Sequence, residues 1–125
     1  MTTSFTAFDY RTRFGPRTFP SPIFTASGCA GSGKELAQFF SLDELGAVVT
    51  KSIALRARSG RPTPRMAETP SGMLNSIGLQ GPGIDQFLDV DIPWLANHGA
   101  RVIVSISGES VDEYASLAQI GRAHV

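Results

Sequence analysis

Lys51 is the single ammonium on any of the chain's three strand-like apolar segments, and it stands at the polar end of its own, AVVTKSI, residues 47–53. A lysine at the open end of a buried strand is desolvated unless it meets an anion, which suits it to stabilising negative charge on a substrate or cofactor. Its bland alternative is to snorkel to water. Ser27 and Asn75 are the polar groups able to converge on it. Asn75 and Ser76 lie in ETPSGMLNSIGLQGPG, residues 68–83, a stretch with too few charges for a solvated loop and too many glycines and prolines for a regular element. Gly72, Gly78, Gly81 and Gly83 stand where a chain bends or lets a ligand come close, while Met73, Leu74, Ile77 and Leu79 would keep such a site dry. Composition leaves two readings open: a binding loop facing a small, flat, polar molecule, or a hairpin turn packed on a core.

The run GCAGSGKE, Gly28 to Glu35, sits between a strand candidate and a helix candidate and comes within one residue of the phosphate-cradling G-x-x-x-x-G-K-[ST] loop. The departure is Glu35, which would put a carboxylate beside phosphate oxygens where a hydroxyl should meet Mg²⁺. A nucleotide- or phosphate-binding α/β module using Gly28–Lys34 is thus one alternative, and a turn that meets a ligand with its backbone is the other. Cys29, the lone cysteine, can form no internal disulfide and no cysteine metal site, and with only His98 and His124 beside it no metal site is expected. Arg56, Arg58, Arg61 and Arg65 could grip a phosphate or carboxylate, but four cations on a loop read first as a solvated lid.

The elements that must position these groups come from the hydrophobic pattern. With 42% hydrophobic and 18% charged residues, 125 residues build one globular domain. Eleven basic and eleven acidic residues balance, so no global field recruits nucleic acid or an anionic membrane. The N-terminus has no apolar h-region and no long apolar run follows, so neither signal peptide nor membrane span is expected and the cytoplasm is the default. Residues 1–20, with Phe5, Phe8, Tyr10, Phe14 and Phe19 around Gly15-Pro16, predict a hairpin. Strands follow at Pro22–Ser27, Ala47–Ile53 and Arg101–Ser107. The spacing predicts helices over Lys34–Leu45, over Ile84–Ala96 with Pro93 bending or restarting it, and beyond a capping Ser110. Residues 55–70 hold too many breakers for a helix and read as loop. Strands separated by helices imply a parallel α/β sheet, either doubly wound or a (β/α)8 barrel. In each strand the polar residues gather at the C-terminal end (Ser27; Thr50, Lys51 and Ser52; Ser105 and Ser107), the edge where both architectures bind ligands.

TASG at Thr25–Gly28, TKS at Thr50–Ser52, GRPTPR at Gly60–Arg65 and ETPSGMLNSIGLQGPG together resemble the N-terminal part of class 1 dihydroorotate dehydrogenases, over about Phe19 to Ala118. The resemblance implies a (β/α)8 TIM barrel of which residues 1–119 supply about the first three β/α units after an N-terminal β-hairpin. It implies FMN at the C-terminal ends of the strands and oxidation of dihydroorotate to orotate in pyrimidine biosynthesis. By the same resemblance Ala26, Ser27, Gly28, Lys51 and Ser52 contact FMN, as does Ser105 where the family has a longer asparagine. Lys51 also reaches the substrate, which Asn75, Ser76, Ile77, Gly78 and Leu79 bind. The family's catalytic cysteine base lies beyond residue 125, and Cys29 does not match its position. PTPR, ETPSGMLN and GLQGPG are closer to the NAD-linked two-subunit branch, which implies a homodimer working with an iron–sulfur flavoprotein subunit that carries FAD and an iron–sulfur cluster. A pyrimidine-reducing relative, dihydropyrimidine dehydrogenase, is the alternative within the superfamily. IGRAHV at Ile120–Val125 resembles a translated sequencing adaptor, so residues 120–125 are expected to be a non-native tail on a truncated product.

Overall fold

The computed structural model describes residues 8–123. Phe5 of the expected N-terminal hairpin, and His124 and Val125 of the expected tail, lie outside the described residues. The hairpin itself is two short strands, β1 (Thr12–Phe14) and β2 (Arg17–Phe19), paired antiparallel about Gly15-Pro16. Of its aromatics among the described residues only Phe19 is buried, edge-on to Phe24 with ring centroids 5.1 Å apart.

Three extended segments then lie side by side and parallel. β3 (Val48–Val49) is the middle one. On one side Phe24 bridges Ala47, and on the other Val48 and Val49 pair with Val102 and Ile103 of the strand that follows the helices. A further parallel bridge, Ile53 to Ile106, extends that pairing to the C-terminal end. The parallel arrangement agrees with the expectation from alternating strands and helices. The first segment is thinner than expected, a single bridge rather than a strand, because the Thr25 side chain takes over the ladder. Its hydroxyl accepts from Val49 N–H at 2.8 Å and donates to Val49 carbonyl at 3.2 Å.

The helix expected over Lys34–Leu45 is not formed. Two single 3₁₀ turns, Leu36–Gln38 and Leu42–Glu44, take its place, separated by Ser41 in extended conformation. A continuous helix would carry Phe39 and Phe40 inward together with Leu36. The break lets Phe39 stay 82% exposed and drives Leu42 instead into a cluster with Val48 and Leu95.

Residues 55–70 are not all loop. β4 (Met66–Thr69) pairs with β5 (Gly72–Asn75) in an antiparallel hairpin turning at Pro70-Ser71. Every residue of both strands is exposed, so this is not a turn packed on a core.

Helix follows in three pieces: α1 (Ile84–Gln86), a π-helical turn (Phe87–Asp91) and α2 (Ile92–Asn97). Pro93 is the cause. It has no N–H to return to Asp89, and the chain widens one turn upstream, where Ile92 N–H reaches the Phe87 carbonyl. The inward positions become Ile84, Phe87, Asp91 and Leu95, with Trp94 at the margin of the core rather than at its centre. Gly99, at φ +66°, ends the helix as expected. β6 (Val102–Ile103) then leads to α3 (Val111–Ala123), which Ser110 caps by accepting Glu113 N–H on its hydroxyl at 3.2 Å.

The core is two clusters along the helix-covered side of the sheet. Ile53, Ile84, Phe87 and Leu117 form one, with Ile120 packed against it, and Leu42, Val48 and Leu95 form the other. Each fully buried large side chain contributes about 1.5–3 kcal/mol. α3 runs without interruption through residues 119 and 120.

Candidate functional site

The C-terminal ends of the three parallel segments are tied together by hydroxyls. Thr50 is fully buried and its Oγ1 accepts Ser105 N–H at 3.3 Å. Ser52 and Ser105 join their Oγ atoms at 2.8 Å across the middle and third segments. Ser107 N–H reaches Ile53 carbonyl at 2.9 Å, and Lys51 N–H reaches Gly31 carbonyl at 3.0 Å, bringing the glycine-rich loop over the same edge. Side-chain oxygens do this work because the ladder is ending there, and backbone groups at the edge would otherwise lack partners.

Above this edge is a cleft of about 210 Å³. Ser27, Gly28, Lys51, Ser52 and Leu79 line it, and all five were singled out from sequence. Arg58, Ala54 and Ser107 line it too and were not assigned to the site. Ser107 was legible as a polar strand end, two positions beyond Ser105. Nothing in the sequence distinguishes Arg58 from its three loop neighbours; its place follows from an antiparallel bridge to Gly81, with both N–H···O bonds at 2.9 Å.

The other candidate residues lie outside the cleft lining. Ser105 is hydrogen-bonded to the cleft-lining Ser52 hydroxyl without lining the cleft itself. Ala26 accepts Cys29 N–H in the turn that opens the glycine loop. Asn75 ends the exposed hairpin opposite Met66, and Ser76, Ile77 and Gly78 continue along the exposed return segment. That segment is held by the arginine loop: Ser76 N–H bonds Arg65 carbonyl at 2.8 Å and Arg61 N–H bonds Ile77 carbonyl at 2.9 Å. Gly78, at φ +80°, permits the contact, since a Cβ there would stand 2.8 Å from Arg61 N. Leu79 follows in the left-handed region at φ 51°, a strained setting for a leucine that brings it to the cleft wall. Met73, Leu74, Ile77 and Leu79 are all exposed in this arrangement.

Electrostatically the cleft is cationic. Lys51 is half-buried, and its ammonium has no carboxylate partner among the described residues. Arg58 is paired with Glu109 at 2.6 Å. Arg65 is no solvated cation either, because its guanidinium bonds Arg61 carbonyl and the Gln80 side chain. The lysine of the phosphate-loop reading, Lys34, is committed elsewhere: its ammonium is 2.6 Å from Asp91 and 5.9 Å from the Trp94 ring. A loop whose lysine is held against a helix carboxylate has no ammonium to offer a phosphate. Among the described residues no group of three His, Cys, Asp or Glu side chains could hold a metal ion, and no helix is long and apolar enough to cross a membrane.

Comparison with known proteins covers the same stretch of chain. The family profile described as dihydroorotate dehydrogenase matches residues 11–124. The catalytic subunit of dihydroorotate dehydrogenase B (NAD(+)) from Anoxybacillus flavithermus is 52% identical over 99 residues, covering 79% of this chain and 32% of that protein. The subunit of the same name from Alkaliphilus metalliredigens is 45% identical over 106 residues, covering 84% of this chain and 35% of that protein. The chain thus spans about a third of the length of the curated relatives it matches. Among solved structures, dihydroorotate dehydrogenase of Eimeria tenella in complex with ferulenol superposes with a TM-score of 0.58 at 19% identity, covering 94% of this chain and 33% of that one, a likeness of fold.

Proposed function

This chain belongs to the dihydroorotate dehydrogenase family, and from that premise we propose that it takes part in the FMN-dependent oxidation of dihydroorotate to orotate in pyrimidine biosynthesis. The observation that carries the reading is Lys51: a half-buried ammonium without a carboxylate partner among the described residues, in a hydroxyl-lined cleft beyond the C-terminal ends of parallel strands. That donor set fits a flavin, whose reduced ring is anionic and whose polar edge accepts hydrogen bonds.

In this reading Ser27, Gly28, Lys51 and Ser52 hold FMN, with Ala26 shaping the glycine loop and Ser105 orienting Ser52. FMN, when bound, supplies the acceptor for the hydride lost by dihydroorotate. Lys51 stabilises negative charge between cofactor and substrate. Asn75, Ser76, Ile77, Gly78 and Leu79 bind the substrate's planar polar edge. The general base belongs to a part of the enzyme outside these residues. The three parallel segments are the first units of an eight-stranded barrel of which residues 1–119 are the N-terminal part, and residues 120–125 are a non-native tail whose first residues continue α3. Electrons pass on to an iron–sulfur flavoprotein subunit and NAD, with the catalytic subunit as a homodimer in the cytoplasm; of this, a partner subunit and NAD are supported by relatives named as catalytic subunits of an NAD(+) enzyme.

The test is flavin content and dihydroorotate-dependent bleaching of the flavin absorbance in the full-length gene product. The wild type should carry FMN and bleach, and Lys51→Met should lose bleaching by about 10²-fold or more. Flavin-free protein that binds ATP with Mg²⁺ would reject the reading.

A further inference from the structure

Arg58 and Glu109 form a contact that the proposed chemistry does not use. Arg58 lines the cleft that holds Lys51, and its backbone is fixed by the two-way bridge to Gly81. Its partner Glu109 comes from the far side, on the loop between β6 and α3. The two side chains meet at 2.6 Å, with Arg58 28% and Glu109 73% exposed. The cation is therefore held by the fold and the carboxylate is free to swing. The Glu109 backbone does not move with it, since its N–H is bonded to Glu113 Oε2 at 2.7 Å.

We infer that Glu109 is an intramolecular gate on the cleft: its carboxylate occupies the Arg58 guanidinium until an anionic ligand displaces it, so that ligands carrying a negative charge are favoured over neutral ones. An exposed ion pair is weak enough for this. A neutral ligand of the same size offers Arg58 nothing in exchange for Glu109, whereas an anion entering beside Lys51 meets two cations, one already free. Arg58 and Glu109 are positioning and selecting residues here. The identity of the physiological anion rests on the reading above, but the gate itself does not.

The test is calorimetric titration of the full-length gene product with orotate and, separately, with sulfate as an anion unrelated to the proposed substrate. Glu109→Gln should bind both anions about two- to fivefold more tightly than wild type, the range an exposed ion pair can account for. The gap should shrink as salt rises. Arg58→Gln should bind both more weakly, and adding Glu109→Gln to it should change nothing further. A residue that merely props up the loop would give the opposite sign, since losing it could only loosen the site. Sulfate behaving as described while orotate fails to bind supports the gate and removes the substrate reading. Glu109→Gln binding both anions no better than wild type, or a wild type that binds neither, overturns the gate.

Discussion

The Ser52 and Ser105 hydroxyls meet at 2.8 Å, linking the ends of two parallel strands directly behind the Lys51 cleft. The Ser105 side chain is satisfied by Ser52 and stays outside the cleft lining itself. Ser105→Ala should therefore weaken FMN binding by about two- to tenfold, the loss of one neutral hydrogen bond. Ser52→Ala should do the same, and the double variant should cost less than the two single losses combined. Flavin fluorescence titration of the three variants checks this; full additivity would show that the hydroxyls act separately.

Lys34 and Asp91 form a second long-range tie, 2.6 Å long, between the glycine-rich loop and the π-helical turn. Asp91 is buried but Lys34 is not, so solvent screening discounts the pair below the cost of breaking a fully buried one. Lys34→Met should destabilise the fold by about 1–2 kcal/mol and Asp91→Asn by a similar amount, with a double-mutant cycle returning a favourable coupling. Urea unfolding of the four proteins measures it. Zero coupling would leave Lys34 available to a phosphate and revive that reading of its loop.

Asp9 and Arg11 test electrostatics far from the cleft. The Arg11 guanidinium, bonded to both carboxylate oxygens, lowers Asp9 from 3.8 to about 2. A carboxyl depressed in the folded state stabilises it above the unfolded value and loses that contribution as pH falls through the folded one. The window thus runs from about 3.8 down to about 2. The side-chain carboxyl carbon of Asp9, followed by NMR, should titrate near the lower end, and Arg11→Gln should return the midpoint toward the ordinary value. An unchanged midpoint would show that Arg11 is not the cause.

Gly83 holds the return segment against the arginine loop. Its φ is +83°, and a Cβ there would stand 2.7 Å from the Ala57 nitrogen. Gly83→Ala should cost about 1–3 kcal/mol through left-handed strain, with the clash added to it. Because the cost falls on one contact between two loops, trypsin cleavage after the exposed Arg56, beside Ala57, should accelerate more than global unfolding does. Equal acceleration of both would place the strain in the core instead.

The polar ends of the strands were readable because a parallel strand buried on both faces tolerates polar groups only where the ladder stops, and Ser27, Lys51, Ser52, Ser105 and Ser107 all obey that rule. The Ser110 cap and the Gly99 stop were equally local, each needing only its own backbone. The failure over Lys34–Leu45 has a different origin. Its helical spacing is real, but whether Phe39 or Leu42 turns inward depends on Val48 and Leu95, which approach from distant parts of the chain.

The candidate cleft divides along the same line. Residue types and their order along the chain determined which strand ends are polar, because periodicity and chain-end polarity are properties of neighbouring residues. Tertiary structure alone decided that Arg58 lines the same cleft as Lys51 while Arg65 is bound into its own loop, and that Lys34 meets Asp91. It also decided that β4 and β5 pair in solvent and leave Asn75 outside the cleft lining. Those outcomes depend on contacts between residues up to 57 positions apart, as in the Lys34–Asp91 pair, and no local pattern encodes which partner will be within reach.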